Sequence, residues 1–378
     1  MSEKLKVAMV TAYPKKDGVI NGGVEGVSYN LVQGMKSKPE LEISIIAPGD
    51  SKSTYIEQRD GITIHWIKKS FLPGFLSYWT IDRSRIHRLL KSIKPDVTHF
   101  QGLLGYTLGY NNKYISTIHG ILEKDILFKG GLAKNVRRMV LVMVERVARA
   151  RARNVIIINP YILDELKNQL PGKKWDIRNP INPDFFSIKR DSSSKNILYI
   201  GRISSLKNVL EIIKNFKGIL NVVPDAKLRL VGRYEDKQYY DECVEYVKSN
   251  VLDKSVVFIG GLNQNQIMDE FKHASCLVLM SNQEVAPMVI SEALASGIPI
   301  VARNVGGVKY MINNDVDGYL IEANDNDSFI NKVVKLLTEY KINDSMGENA
   351  RRNAHENYDI KHIVSSTIDA YKNIFSKV

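Results

Sequence analysis

Residues 281–299, SNQEVAPMVISEALASGIP, constrain the fold of this 378-residue chain more than any other stretch. They join one apolar run, Cys276-Leu-Val-Leu-Met280, to a second, Ile300-Val301-Ala302. Between the runs Pro287 stands where a helix should begin, because its missing N–H is one that the first helical turn leaves unused. Gly297 and Pro299 then end the helix in the expected order. Two carboxylates frame it, Glu284 in the loop before and Glu292 inside. The first-turn N–H groups at Met288 and Val289 lie between them and suit an anion such as a diphosphate.

Short apolar runs recur along the rest of the chain. Lys4–Val10, Ile43–Ala47, Ile62–Ile67, Val97–Phe100, Tyr114–Ile118 and Val155–Ile158 come first; Asn196–Ile200, Lys227–Val231 and Val256–Ile259 lead up to Cys276–Met280. Helical patterns separate several of them, as in parallel sheets with helices on their faces. The length exceeds that at which single cores stop growing, so two domains are expected. Pro and Ser crowd together and periodicity lapses over 179–195, which reads as the linker. The expected domains are 1–180 and 181–357, with closing helices near Asp327–Glu339, Ile342–Asn357 and Ile360–Ser376.

With 44% apolar and 25% charged residues a substantial core is expected. No apolar run approaches the roughly 18 residues a spanning helix needs, and MSEKLKVAMV lacks the features of a signal peptide. Cys243 and Cys276 alone make neither a disulfide framework nor a zinc site. The expected location is therefore cytoplasmic, with the inner face of the membrane as the alternative. Residues 1–180 hold 29 Lys+Arg against 16 Asp+Glu, or +13, and the remainder 24 against 25, or −1, which sums to the chain's +12. One domain thus carries the whole surplus and should face an anionic partner.

Several smaller features can be placed on this frame. Gly22-Gly23 lies between the first strand and a helix patterned by Val24, Val27, Leu31 and Met35; without Cβ atoms, a phosphate can approach its N–H groups. No Gly-x-Gly-x-x-Gly follows that strand, so a dinucleotide site is not expected. His119 ends strand Tyr114–Ile118 at its carboxyl end, where open α/β sheets place ligands. Gly201-Arg202 and Lys207 follow strand Asn196–Ile200. There Arg can fork two oxygens while Lys supplies a point charge, a clamp for a diphosphate. Leu262 follows the strand Val256–Ile259. The apolar loop Phe71–Trp79 is either a satellite core or a surface for lipid headgroups or a lipid-linked acceptor. Lys134–Arg153 carries seven cations and one acid, with Val136, Val140, Met143 and Val147 on one helical face and Arg138, Arg146, Arg149 and Arg153 opposite. It is either a covering helix or a dock for anionic lipid. Nucleic acid is not expected, since no binding motif accompanies the charge.

Four of these features in this order, Gly22-Gly23, Thr117-Ile-His119-Gly, Gly201-Arg202-x-x-x-x-Lys207 and Glu284–seven residues–Glu292, resemble the retaining glycosyltransferases of group 1 (family four), over nearly the whole chain. The resemblance implies the GT-B arrangement: two Rossmann-like domains facing a cleft, with residues 358–378 crossing back to the first. It implies a nucleotide diphosphate sugar, UDP- or GDP-linked, as donor, and a glycan or lipid-linked acceptor. Arg202 and Lys207 would stabilise the departing diphosphate, with Pro287, Met288 and Val289 at the helix start beside it. Glu284 would hold the transferred sugar and Glu292 the ribose, the eight residues of helical rise between them giving a reach of about 12 Å. Gly22, Gly23 and Leu262 would border the donor, and His119 the sugar and leaving phosphate. Asn179-Pro-Ile-Asn and Tyr310 depart from the family pattern. No resident cofactor is expected, and with no Asp-x-Asp metal site evident, protein cations should replace Mg2+. A sugar-nucleotide epimerase or hydrolase and a non-catalytic nucleotide-sugar sensor are the alternatives. The base, the sugar and the acceptor are not legible.

Overall fold

The computed structural model describes residues 4–15, 20, 22–102, 104–125 and 134–376. The chain divides into two compact units, Met1–Pro180 with Ile360–Val378, and Ile181–Asp359.

The first unit contains β1 (Leu5–Val10), β2 (Leu41–Ser51), β3 (Tyr55–Arg59), β4 (Ile62–Lys68), β5 (Val97–Gln101), β6 (Tyr114–Ile118), β7 (Asn154–Ile157) and β8 (Lys173–Asp176). Among the described residues they form one sheet ordered β3-β4-β2-β1-β5-β6-β7-β8. Its pairs are parallel except for the antiparallel edge pair β3–β4. Every residue of β5 and β6 is buried, as expected of parallel strands covered on both faces. The second unit contains β9 (Asn196–Ile200), β10 (Lys227–Val231), β11 (Val256–Gly260), β12 (Ala274–Leu279), β13 (Ile300–Arg303) and β14 (Gly318–Ile321). They form a parallel sheet ordered β11-β10-β9-β12-β13-β14.

Residues 181–195 are not the loose linker expected. Pro183–Ser187 form a 3-10 turn capped by Asn182, whose side-chain oxygen accepts from the Asp184 N–H at 3.0 Å. Ile181, Phe185 and Ile188 are buried in the core of the second unit. Periodicity lapses there because a single short turn carries the apolar residues. Tyr358, expected with the returning helix, is also buried in that core.

Helix Ile360–Phe375 belongs to the first unit. Gly34 gives it room: a Cβ there would lie 2.6 Å from Val364 Cγ2. Tyr371 anchors it through an oxygen 2.6 Å from Nδ1 of His99, whose Nε2 lies 2.7 Å from the Thr117 hydroxyl. Burial pushes His99 down to about 3, so the ring is neutral, and it is the interior of the unit that fixes it. Tyr371→Phe, which removes one partner of a buried ring nitrogen, is expected to destabilise the chain by about 1–2 kcal/mol. An unchanged urea midpoint would show that the bond contributes nothing.

Helix Lys134–Arg151 is rotated from the expected face. Its buried residues include Leu141, Val144, Glu145, Ala148 and Arg149, while Val136, Met143 and Val147 are exposed. Arg149 forks the carboxylate of Glu123. Glu145 accepts from the Gly105 N–H and the Tyr78 hydroxyl, both at 3.3 Å. Partners elsewhere in the chain thus draw two ionisable side chains inward. Phe75, Tyr78 and Trp79 pack with Leu141 and Val144 as a satellite core, and Phe71 is left 86% exposed.

Candidate active site

In the second sheet β9 and β12 are neighbours, but the chain runs from β9 outward to β10 and β11 and from β12 outward to β13 and β14. Connections therefore diverge at their carboxyl ends, the switch point at which open α/β sheets bind ligands. The loop after β9 carries Lys207 and the loop after β12 carries Glu284. Asn282 joins these loops, its N–H donating to the Leu206 carbonyl at 2.8 Å and its amide to the Ser205 carbonyl at 3.0 Å. Lys207 Nζ donates to Glu284 Oε1 at 2.5 Å, with Glu284 buried and Lys207 only partly exposed. The Glu284 carbonyl in turn accepts from the Gly307 N–H at 3.0 Å.

The following helix spans Met288–Ala295, with Pro287 as its N-cap rather than its first residue. Only half of the interval from Glu284 to Glu292 is therefore helical, and the 12 Å reach expected from eight helical steps does not apply. Met288 and Val289 open the helix, where N–H groups have no carbonyl one turn back to donate to. Glu292 lies inside it, and burial pushes its carboxyl up to about 7. Among the described residues no side-chain hydrogen bond or ion pair engages that carboxyl.

Arg202 stands apart from the Lys207–Glu284 pair. It is exposed and its guanidinium faces Glu235 at 3.4 Å, while its carbonyl accepts from the Tyr199 hydroxyl at 2.8 Å. The loop it opens runs close to the turn after β10. Gly232 there has φ +143°, and a Cβ would lie 1.8 Å from the Gly201 carbonyl oxygen. Leu262 packs partly buried against the second unit's core.

In the first unit Gly22 is the N-cap of helix Gly23–Met35 with φ −173°, extended backbone that any residue adopts. What glycine offers there is the absent Cβ alone. The preceding residues 16–19 and 21 lie outside the described residues. His119 follows β6, with Nε2 2.5 Å from Gln101 Oε1 at the end of the neighbouring β5. Burial pushes it down to about 4, so it is neutral near pH 7.

Periodicity and motifs missed a supporting network. Buried Arg303, ending β13, donates to Asn282 Oδ1 at 2.8 Å and to Glu211 Oε1 at 2.6 Å, and Asn208 bonds the other oxygen of Glu211. Asn208 itself holds a left-handed φ of +52°. One signal was available: Arg303 is a lone charge at the carboxyl end of an otherwise apolar run.

Two units, each built on a mainly parallel sheet, are those of a GT-B fold. The solved sucrose-phosphate synthase of Thermosynechococcus elongatus superposes with a TM-score of 0.84 at 16% identity, over 99% of this chain and 100% of that one. A family model described as "Glycosyl transferases group 1" matches residues 181–353, and one described as "Glycosyltransferase Family 4" matches 21–185. The chain belongs to the group 1 glycosyltransferases of family four. An uncharacterized glycosyltransferase of Methanocaldococcus jannaschii is 25% identical over 97% of this chain and 98% of its own length. A UDP-Gal:alpha-D-GlcNAc-diphosphoundecaprenol alpha-1,3-galactosyltransferase of Escherichia coli is 26% identical over 76% of this chain and 77% of its own.

Proposed function

We propose that this glycosyltransferase moves a hexose from a UDP- or GDP-linked sugar to a glycan or lipid-linked acceptor with retention at the anomeric carbon. The observation that carries the reading is the Lys207–Glu284 pair at the switch point, beside the helix that holds the unpartnered Glu292. The E. coli relative, by its name, uses UDP-Gal and a diphosphoundecaprenol-linked acceptor, which supports a UDP sugar and a lipid-linked substrate.

In this reading the bond from the anomeric carbon to the diphosphate breaks while the acceptor oxygen bonds the same face, and the acceptor's proton passes to the departing phosphate oxygen. Negative charge gathers on the diphosphate. Lys207, the N–H groups of Met288 and Val289, and a swung Arg202 stabilise it, with Pro287 fixing the start of the helix. Glu284 orients the sugar hydroxyls and Glu292 accepts from the ribose. Neutral His119 accepts a hydrogen bond from the sugar. Gly22, Gly23 and Leu262 border the donor. No resident cofactor takes part in this scheme.

The test is a thermal-shift screen against UDP- and GDP-sugars, followed by NMR of the product formed with the preferred donor. An α product from an α donor supports retention, whereas a β product overturns it. An epimerised or hydrolysed donor without acceptor would favour the epimerase or hydrolase alternative.

Glu292 adds a pH prediction. Burial pushes its carboxyl up to about 7, and the ionised form, an acceptor at both oxygens, is the better partner for two ribose hydroxyls. Affinity for a nucleotide sugar, whose diphosphate diester does not titrate in this range, is expected to rise up to about tenfold per pH unit below 7 and to level off above it. Titration calorimetry checks this, and Glu292→Gln should flatten the profile. A profile identical in the variant would remove Glu292 from the site.

A further inference from the structure

We propose that the exposed side of helix Lys134–Arg151 is a docking surface for an anionic lipid bilayer. Val136, Met139, Met143 and Val147 are 55%, 65%, 60% and 39% exposed. Their spacings of three, four and four place them in one row along the helix. The row lies away from the buried Leu141, Val144 and Ala148, so among the described residues the packing of that buried face does not account for it. At 100° per residue Arg146 lies roughly 60° to one side of the row and Arg151 roughly 80° to the other, both exposed. The only acid on the helix, Glu145, is turned inward onto Gly105 and Tyr78.

The surroundings extend the same chemistry. Phe71 stands exposed on the loop whose Phe75 and Trp79 pack against Leu141 and Val144 of this helix. Immediately after that loop, helix Ile81–Ile93 presents Arg83, Arg85 and Arg88 around an open hollow of about 500 Å³.

A row of apolar side chains bordered by guanidinium groups matches the boundary between acyl chains and phosphate headgroups, with the row immersed and the arginines at the phosphates. A second copy of the chain would oppose two arginine-bordered rows, like charge against like. A nucleic acid would leave the methionine and valine row facing phosphates. Charge complementarity therefore selects anionic lipid.

Flotation of the full chain with vesicles tests this independently of any transfer reaction. Binding is expected to vesicles of phosphatidylglycerol in phosphatidylcholine and not to phosphatidylcholine alone, and to weaken as salt is raised. The combined change Val136→Ser, Met139→Ser and Met143→Ser should lower the bound fraction about tenfold or more, with an unchanged circular dichroism spectrum. Arg146→Glu with Arg151→Glu should lower it as well and flatten the salt dependence, a second readout that leaves the apolar row intact. The proposal is overturned if the parent chain ignores anionic vesicles at low salt or if the serine variant floats as well as the parent. It is equally overturned if sedimentation shows a parent dimer that the serine variant abolishes, because a second copy would then be the occupant.

Discussion

Lys207→Ala is expected to lower turnover by about 100- to 1,000-fold, the loss typical of removing one preorganised group from developing negative charge. The variant should also lose about 1–3 kcal/mol of stability, because buried Glu284 is then left without its cation. The two effects are separable. Adding Glu284→Gln removes the stranded charge, so the double variant should recover most of the stability and none of the turnover. Product formation from saturating donor and thermal melts of the three proteins measure both quantities. Parent-like turnover in Lys207→Ala would end the proposal that this ammonium faces the diphosphate.

The second large effect is structural. Arg351, on helix Tyr340–Tyr358, donates to four carbonyls: Phe186, Ile188, Ala295 and Ser296. Two of these belong to the turn that opens the second unit, and two end the helix that carries Glu292. Those terminal carbonyls have no helical partner of their own, so one guanidinium satisfies orphan groups from both segments. The packing is tight beside it, since a Cβ on Gly347 would lie 2.4 Å from the Gly297 carbonyl oxygen. Arg351→Ala is therefore expected to destabilise the chain by about 3 kcal/mol, at the upper end of single substitutions. Arg351→Lys should recover less than half, because one ammonium cannot span the planar fork. Urea denaturation of both variants gives the comparison, and a loss below about 1 kcal/mol would mean that water replaces the guanidinium at these carbonyls.

What the amino-acid sequence discloses follows burial. Tyr114–Ile118, Asn196–Ile200 and Lys227–Val231 match their strands residue for residue because interior parallel strands are apolar on both faces. The strands that go unpredicted, β3, β8 and β14, are all sheet edges, where sequences such as YIEQR and KKWD have only one side to hide. The helix 288–295 was visible in Pro287, one residue before its start, and in Gly297 just past its end, since both act through their own backbone. The loop residues Glu284 and Lys207 stood out by motif, and folding supplied the contact between positions 77 apart. Arg303 offered only a lone charge at the end of an apolar run and Glu211 nothing, because their pairing exists only once β13 lies beside β12. The face of helix Lys134–Arg151 was misjudged for the same reason: the partner that draws Arg149 inward, Glu123, lies 26 residues earlier.

The return of Ile360–Phe375 to the first sheet also orders events in time. A ribosome has made every residue of Ile181–Asp359 before the side chain that reaches His99 exists. The contiguous middle stretch can thus mature while the earlier-born sheet waits with the seat of Val364 and Tyr371 vacant, reversing the usual sequence in which the leading domain is finished first.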